Sequence, residues 1–289
     1  MTDPAPPKRI FAPAKDEAET AAQQASSAQT EDPAYRLAFQ DPEFLLRPDL
    51  RPVRFQLELL KPELLLDEAG IASIFVFYGS ARIPAPDKAD AIVAAATTER
   101  QKAVAARLKA NAHYYDEARK LAAMCSRYDR DADGRRHFVV CTGGGPSIME
   151  AANRGAEDAG EESIGLNIVL PFEQLPNAYV TPRLSFQFHY FALRKMHFLL
   201  RARAVAVFPG GFGTFDEMFE LLTLVQTGKV ARLPILLFGR EYWERVVNWQ
   251  ALADEGVIAP ADLNLFTFVE TAEEAWGHVC GHYGGGAEA

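Results

Sequence analysis

Residues 204–217, AVAVFPGGFGTFDE, are the stretch whose reading decides the fold. Five small or apolar residues, Ala204 to Phe208, form a run typical of a strand buried on both faces. Pro209, Gly210, Gly211 and Gly213 break the run, and Thr214 is expected to open an amphipathic helix that continues as MFELLTLVQ. Strand, glycine turn and helix N-terminus together make an anion site. Glycines let backbone N–H groups approach a phosphate closely, and the first helical N–H groups have no intrahelical partner. The turn is not a Walker loop, because the Lys and Ser/Thr of GxxxxGK[ST] are missing.

The same alternation extends outward on both sides. Ile74 to Tyr78 (IFVFY) reads as the first buried strand and runs into the turn Gly79-Ser80-Ala81-Arg82. Residues 89–128, rich in Ala, Lys, Arg and Glu, are expected to hold one or two long helices. Phe138 to Cys141 is a second strand, followed by Thr142-Gly143-Gly144-Gly145, with Pro146 in the first turn of the helix SIMEAANRGAEDAG. Ser163 to Val169 is a third strand, Phe188 to Arg201 a helix, and Pro234 to Phe238 and Phe266 to Val269 are further strands. Short buried strands alternating with helices predict an α/β fold, a parallel sheet with helices on both faces. In such a sheet the strand-to-helix turns gather at the carboxyl edge, where ligands bind at a switch of strand order. GSAR, GGGPS and PGGFGT are therefore expected to build one site.

The remaining segments frame that domain. Residues 1–32 are rich in Ala, Gln, Pro and acidic residues and poor in large apolar side chains, so they read as a disordered tail. Residues 33–70 carry Leu at helical spacing, with Pro62 as a break or kink, and read as a helical N-terminal cap. The main domain spans residues 71–283, and residues 284–289 form a flexible tail. With 289 residues and 48% hydrophobic content the chain can bury one substantial core. A formal charge of −9 argues against broad nucleic-acid binding. No apolar run approaches the ~20 residues that span a bilayer, and the N-terminus lacks the apolar core of a secretory signal. Cys125, Cys141 and Cys280 form no CxxC or Cys/His cluster, so neither a disulfide framework nor a metal site is indicated. A cytoplasmic protein with no membrane association is expected.

Each candidate residue also has a plain structural reading. The glycines of GGGPS serve equally for close strand–helix packing. Thr214-x-x-Glu217 is a capping box, in which Glu217 would reach back to the cap amide. A functional Glu217 would instead point into the cleft and act on a ribose hydroxyl or a water. Arg194 and Lys195 lie on an otherwise apolar helix that runs into the motif strand; they are either a solvated pair or a phosphate clamp. His189 and His197, eight residues apart, are too distant for an i, i+4 metal pair and read as packing residues. No serine sits in a G-x-S-x-G elbow.

Pro209 to Glu217 matches the PGGxGTxxE signature, and the chain resembles the LONELY GUY (LOG) family of cytokinin riboside 5′-monophosphate phosphoribohydrolases and related nucleotide nucleosidases, long mislabelled as lysine decarboxylases. Arg194-Lys195 stands where that family carries its own Arg-Lys, and GSAR and GGGPSIMEAAN resemble its other two glycine turns. The resemblance runs from about Ile74 to Trp249; the N-terminal helices, residues 89–128 and the tail lie outside the compact plant-type pattern. It implies a Rossmann-like fold and hydrolysis of a nucleoside 5′-monophosphate to free base and ribose 5-phosphate. It also implies a homo-oligomer with active sites close to a subunit interface, and no metal or organic cofactor. Glu217 would then stabilise oxocarbenium character on the sugar, with Arg194 orienting the nucleotide. The phosphate would be bound by Gly210, Gly211, Gly213 and Thr214, with Gly79, Ser80, Gly143, Gly144, Gly145 and Lys195 completing the pocket. Lys195 beside a phosphate cup superficially suits a pyridoxal-phosphate decarboxylase. A different class of reading is a non-catalytic nucleotide or molybdenum-cofactor carrier, which would need neither Arg194 nor Glu217 as chemistry.

Overall fold

The computed structural model describes residues 11–171 and 175–284, and the chain divides into two units, Met1–Leu57 and Glu58–Ala289. Among the described residues the first unit holds three short α-helices, α1 (Ala14–Ala21), α2 (Ala28–Glu31) and α3 (Pro42–Leu45), none of which buries a residue. Two of them fall in the segment expected to be disordered; residues 1–10 of that segment and residues 285–289 of the expected tail lie outside the described residues. Local capping shapes α2, where Ser27 Oγ accepts the Thr30 N–H at 3.2 Å and Thr30 Oγ1 accepts the Ser27 N–H at 2.9 Å. Helix α4 (Arg51–Glu68) begins in this unit and ends in the second.

The second unit is built on a seven-stranded sheet, every neighbouring pair parallel. Its strands are β1 (Ile74–Tyr78), β2 (Val139–Thr142), β3 (Ile164–Ile168), β4 (Ser185–Phe188), β5 (Ala202–Val207), β6 (Ile235–Phe238) and β7 (Thr267–Val269). The helices are α5 (Pro86–Ala95), α6 (Glu99–Ala110), α7 (His113–Ser126), α8 (Ile148–Asp158), α9 (Phe191–Leu200), α10 (Phe212–Gln226), α11 (Arg240–Val246), α12 (Trp249–Asp254) and α13 (Ala272–Gly284). Residues 89–128 thus form three helices, α6 being set off by its own capping box at Thr98 and Gln101.

The spatial order β4-β3-β2-β1-β5-β6-β7 reverses between β1 and β5, so the chain winds outward in both directions from that pair. Residues of β1 alternate between two cores. Phe75 and Phe77 join Tyr115, Leu121, Ile148 and Val279 on the face of α7, α8 and α13. Ile74, Val76 and Tyr78 join Leu66, Phe198, Met218 and Trp243 on the face of α4, α9, α10 and α11. Burying both faces makes these strands continuous apolar runs, and each fully buried Phe or Leu contributes roughly 1.5–3 kcal/mol.

Strand β4 is the element the sequence reading misses, having assigned Phe188 to the following helix. It is an edge strand in which Phe186 and Phe188 are buried while Gln187 is exposed, and four residues of alternation give a weak signal. Pro62 does not break α4. A proline lacks the N–H that the Glu58 carbonyl would accept; instead the His197 ring, through Nε2, donates to that carbonyl at 3.1 Å. Helix α4 also fixes both ends of α9. The Glu58 carboxylate accepts the N–H groups of His189 and Tyr190, at 2.9 and 3.2 Å, and Glu63 pairs with Arg201 at 2.9 Å. Burial pushes the His197 imidazole below its ordinary pKa, which keeps it neutral in this packing role.

Candidate active site

Strands β1 and β5 end side by side, with Tyr78 opposite Val207, and their turns are tied together. The Ser80 N–H donates to the Pro209 carbonyl at 3.1 Å, and Ser80 Oγ accepts the Arg82 N–H at 3.0 Å. A cleft of about 860 Å³ opens over this switch point. It is lined by Gly79, Ser80, Gly143, Arg194, Gly211, Gly213, Thr214 and Glu217, so the three glycine turns converge with Arg194 and Glu217, two of the three charged candidates.

The PGGFGT turn divides its labour. Gly211 is the N-cap of α10, so the helix starts at Phe212, two residues earlier than expected. The first helical N–H to find a backbone partner is that of Phe215, which donates to the Gly211 carbonyl at 3.0 Å. The amides of Phe212, Gly213 and Thr214 are left for a ligand. A side chain at Gly211 or Gly213 would meet open space, whereas a Cβ at Gly210 would strike the Thr214 side chain. Gly210 is therefore required for packing, and its carbonyl accepts the Tyr242 hydroxyl at 2.5 Å.

The capping box between Thr214 and Glu217 is not formed, because Thr214 is the third residue of α10 rather than its cap. Glu217 is instead held in the cleft at 8% exposure. Burial lifts its carboxyl to a pKa of about 7, against the opposing pull of Arg194 and Lys195. Such a group exchanges a proton near neutral pH.

Arg194 reaches the cleft from the first turn of α9. Its Nε donates to the Leu166 carbonyl at 2.7 Å and its guanidinium lies 5.1 Å from the centre of the Phe198 ring. Burial depresses its pKa, with Glu217 acting the other way. Lys195 points elsewhere: its ammonium pairs with Glu220 at 2.8 Å and Asp216 at 3.0 Å, and it does not line the cleft.

Only the first glycine of the GGGPS turn faces the site. Gly144 adopts φ +72°, a Cβ there would strike Asn167, and its N–H donates to Thr142 Oγ1 at 2.9 Å. The Asn177 side chain donates to the carbonyls of Gly144 and Gly145, at 3.2 and 2.9 Å. These two glycines shape the turn. Pro146 precedes the cap Ser147, so it stands outside α8, and Ser147, at φ +68°, donates its hydroxyl to the Ile83 carbonyl.

The structure adds residues that no spacing rule selected: Tyr78, Met149, Phe191 and Tyr242 also line the cleft. For Tyr78 a signal was present, since it is the last residue before a ligand-binding turn. Among the described residues no group of three or more His, Cys, Asp or Glu is placed to hold a metal ion, and no helix is long and apolar enough to cross a membrane.

Comparison with known proteins bears out the resemblance read from the residues. A family profile described as "Possible lysine decarboxylase" matches residues 149–279. The chain is 25% identical over 139 residues to cytokinin riboside 5′-monophosphate phosphoribohydrolase LOG3 of Arabidopsis thaliana, covering 47% of this chain and 63% of that one. It is 25% identical over 144 residues to LOG7 of the same plant, covering 48% and 64%. The match thus spans less than two thirds of the length of these curated relatives. Among solved structures, a Moco carrier protein from Chlamydomonas reinhardtii aligns over 74% of this chain and 98% of its own, with a TM-score of 0.42 and 17% identity.

Proposed function

We propose that this protein, similar to the LONELY GUY phosphoribohydrolases, hydrolyses the N-glycosidic bond of a nucleoside 5′-monophosphate, AMP or a cytokinin riboside monophosphate, to free base and ribose 5-phosphate. The observation that carries the reading is Glu217, a buried carboxyl with a pKa of about 7, placed in one cleft with the Arg194 guanidinium and the first-turn amides of α10. The amides and the helix dipole hold the 5′-phosphate. Water bonds to C1′ as the C1′–N bond breaks, and its proton goes to the departing base. Glu217 polarises the ribose hydroxyls or positions that water, and its charge stabilises the oxocarbenium-like sugar. Arg194 balances the negative charge of carboxylate and nucleotide.

Lysine decarboxylation fits less well. A Schiff-base lysine must present a free amine, whereas two carboxylates hold the Lys195 ammonium and raise its pKa despite its burial. A homo-oligomer is part of the proposal, supported by the exposed rings of Phe191 and Phe212 on residues that line the cleft.

Incubation with a panel of nucleoside monophosphates, followed by chromatography for free base, tests the activity. AMP should far outrun adenosine, and equal turnover would remove the phosphate role of the glycine turns. Tight nucleotide binding with no base released would favour a carrier.

A further inference from the structure

Tyr78 is the last residue of β1 and is 6% exposed, its ring edge-on to Phe198 with centroids 5.1 Å apart. Its hydroxyl is buried and has no hydrogen-bond partner among the described residues. A buried hydroxyl left unpaired is costly, and two other positions of the same strand, Phe75 and Phe77, carry the ring without one. Tyr78 lines the cleft, and both Glu217 and Arg194 act on it electrostatically.

The neighbouring groups limit what can pair with it. Burial, reinforced by Glu217, holds the phenol well above its ordinary pKa, so it stays protonated and donates. Glu217, once ionised, only accepts. A ligand alcohol can give a proton to Glu217 while accepting one from Tyr78, whereas a fully ionised phosphate or carboxylate oxygen can only accept. In the nucleotide reading, on which this inference rests, the alcohol beside the reacting carbon is the ribose 2′-hydroxyl. We propose that the Tyr78 hydroxyl contacts the ribose 2′-hydroxyl and makes the protein select ribonucleotides over 2′-deoxyribonucleotides.

The test is Tyr78→Phe. Base release is measured from AMP and 2′-deoxy-AMP, and binding from ribose 5-phosphate and 2-deoxyribose 5-phosphate. The wild type should favour AMP by about tenfold or more in kcat/KM. The variant should lose about that factor on AMP and little on 2′-deoxy-AMP, with an unchanged or higher Tm because an unpaired buried hydroxyl is gone. An equal fall on both substrates, no fall on either, or a wild type indifferent to the 2′-hydroxyl overturns the proposal. A lower Tm in the variant does so too, since it would give the hydroxyl a structural partner. Should the wild type release base from no monophosphate, the proposed activity fails separately, and the sugar phosphates still decide. A ribose preference lost in Tyr78→Phe upholds the contact, and equal binding overturns it.

Discussion

The guanidinium of Arg194 occupies the space that a side chain at Gly143 would fill: a Cβ built there would stand 2.6 Å from Arg194 Nη2 and 3.0 Å from Met149 Sδ. The glycine of one strand turn thereby sets where a helix-borne cation rests. Both atoms are the ends of flexible side chains, so the fold can accommodate Gly143→Ala while the guanidinium cannot keep its place. Displacement of a positioning group by about 1 Å can cost ~10² in rate. Gly143→Ala should lower kcat/KM roughly 10- to 100-fold with Tm nearly unchanged. Full activity in that variant would show that the guanidinium's position is immaterial.

Arg194→Ala should abolish most turnover while leaving the protein folded. It removes the bond to the Leu166 carbonyl, which costs about 1–2 kcal/mol, far less than the stability of the unit. Because Arg194 lowers the Glu217 pKa, residual activity should show its pH midpoint moved upward. A collapse of Tm along with the activity would make Arg194 a core-supporting residue instead.

Glu217→Gln keeps size and removes charge. With no capping box for Gln to preserve, the substitution tests the chemistry directly. General acid–base groups contribute ~10²–10⁴ in rate, so kcat should fall at least about a hundredfold with nucleotide binding retained. Near wild-type turnover would remove Glu217 from the mechanism.

The same carboxyl makes both rate and stability depend on pH. If the ionised form is the active one, kcat/KM rises with pH and levels off above about 7, the Glu217 pKa. The folded pKa is raised from the ordinary 4.5, so its stabilising contribution is fully present below about 4.5 and lost as pH climbs through about 7. Glu217→Gln escapes that loss. Its stability relative to wild type should grow between pH 5 and pH 8, by up to about 3 kcal/mol. Parallel denaturant titrations of the two proteins at both pH values measure it, and a constant difference would mean Glu217 titrates normally.

Local spacing alone did not decide several elements, for a different physical reason in each case. Pro62 looks like a helix breaker, yet α4 continues since His197, far along the chain, takes up the orphaned Glu58 carbonyl. Thr214 and Glu217 have capping-box spacing, but Gly211 caps the helix first, so the spacing carries no cap. Strand β4 was too short for its alternation to stand out against the helix that follows.

The sequence by itself determined the parallel α/β sheet, the three glycine turns and the charged residues near them, because burial on both faces writes long apolar runs and turns demand glycine. Only the tertiary structure decided which of those residues share a cleft. Strand order places β1 against β5, brings Gly143, Arg194 and Glu217 together, and turns Lys195, Gly144, Gly145 and Gly210 to pairing or packing. It also decided that Glu217 titrates near 7, since a pKa records burial and neighbouring charge, and both are set by residues distant in the chain.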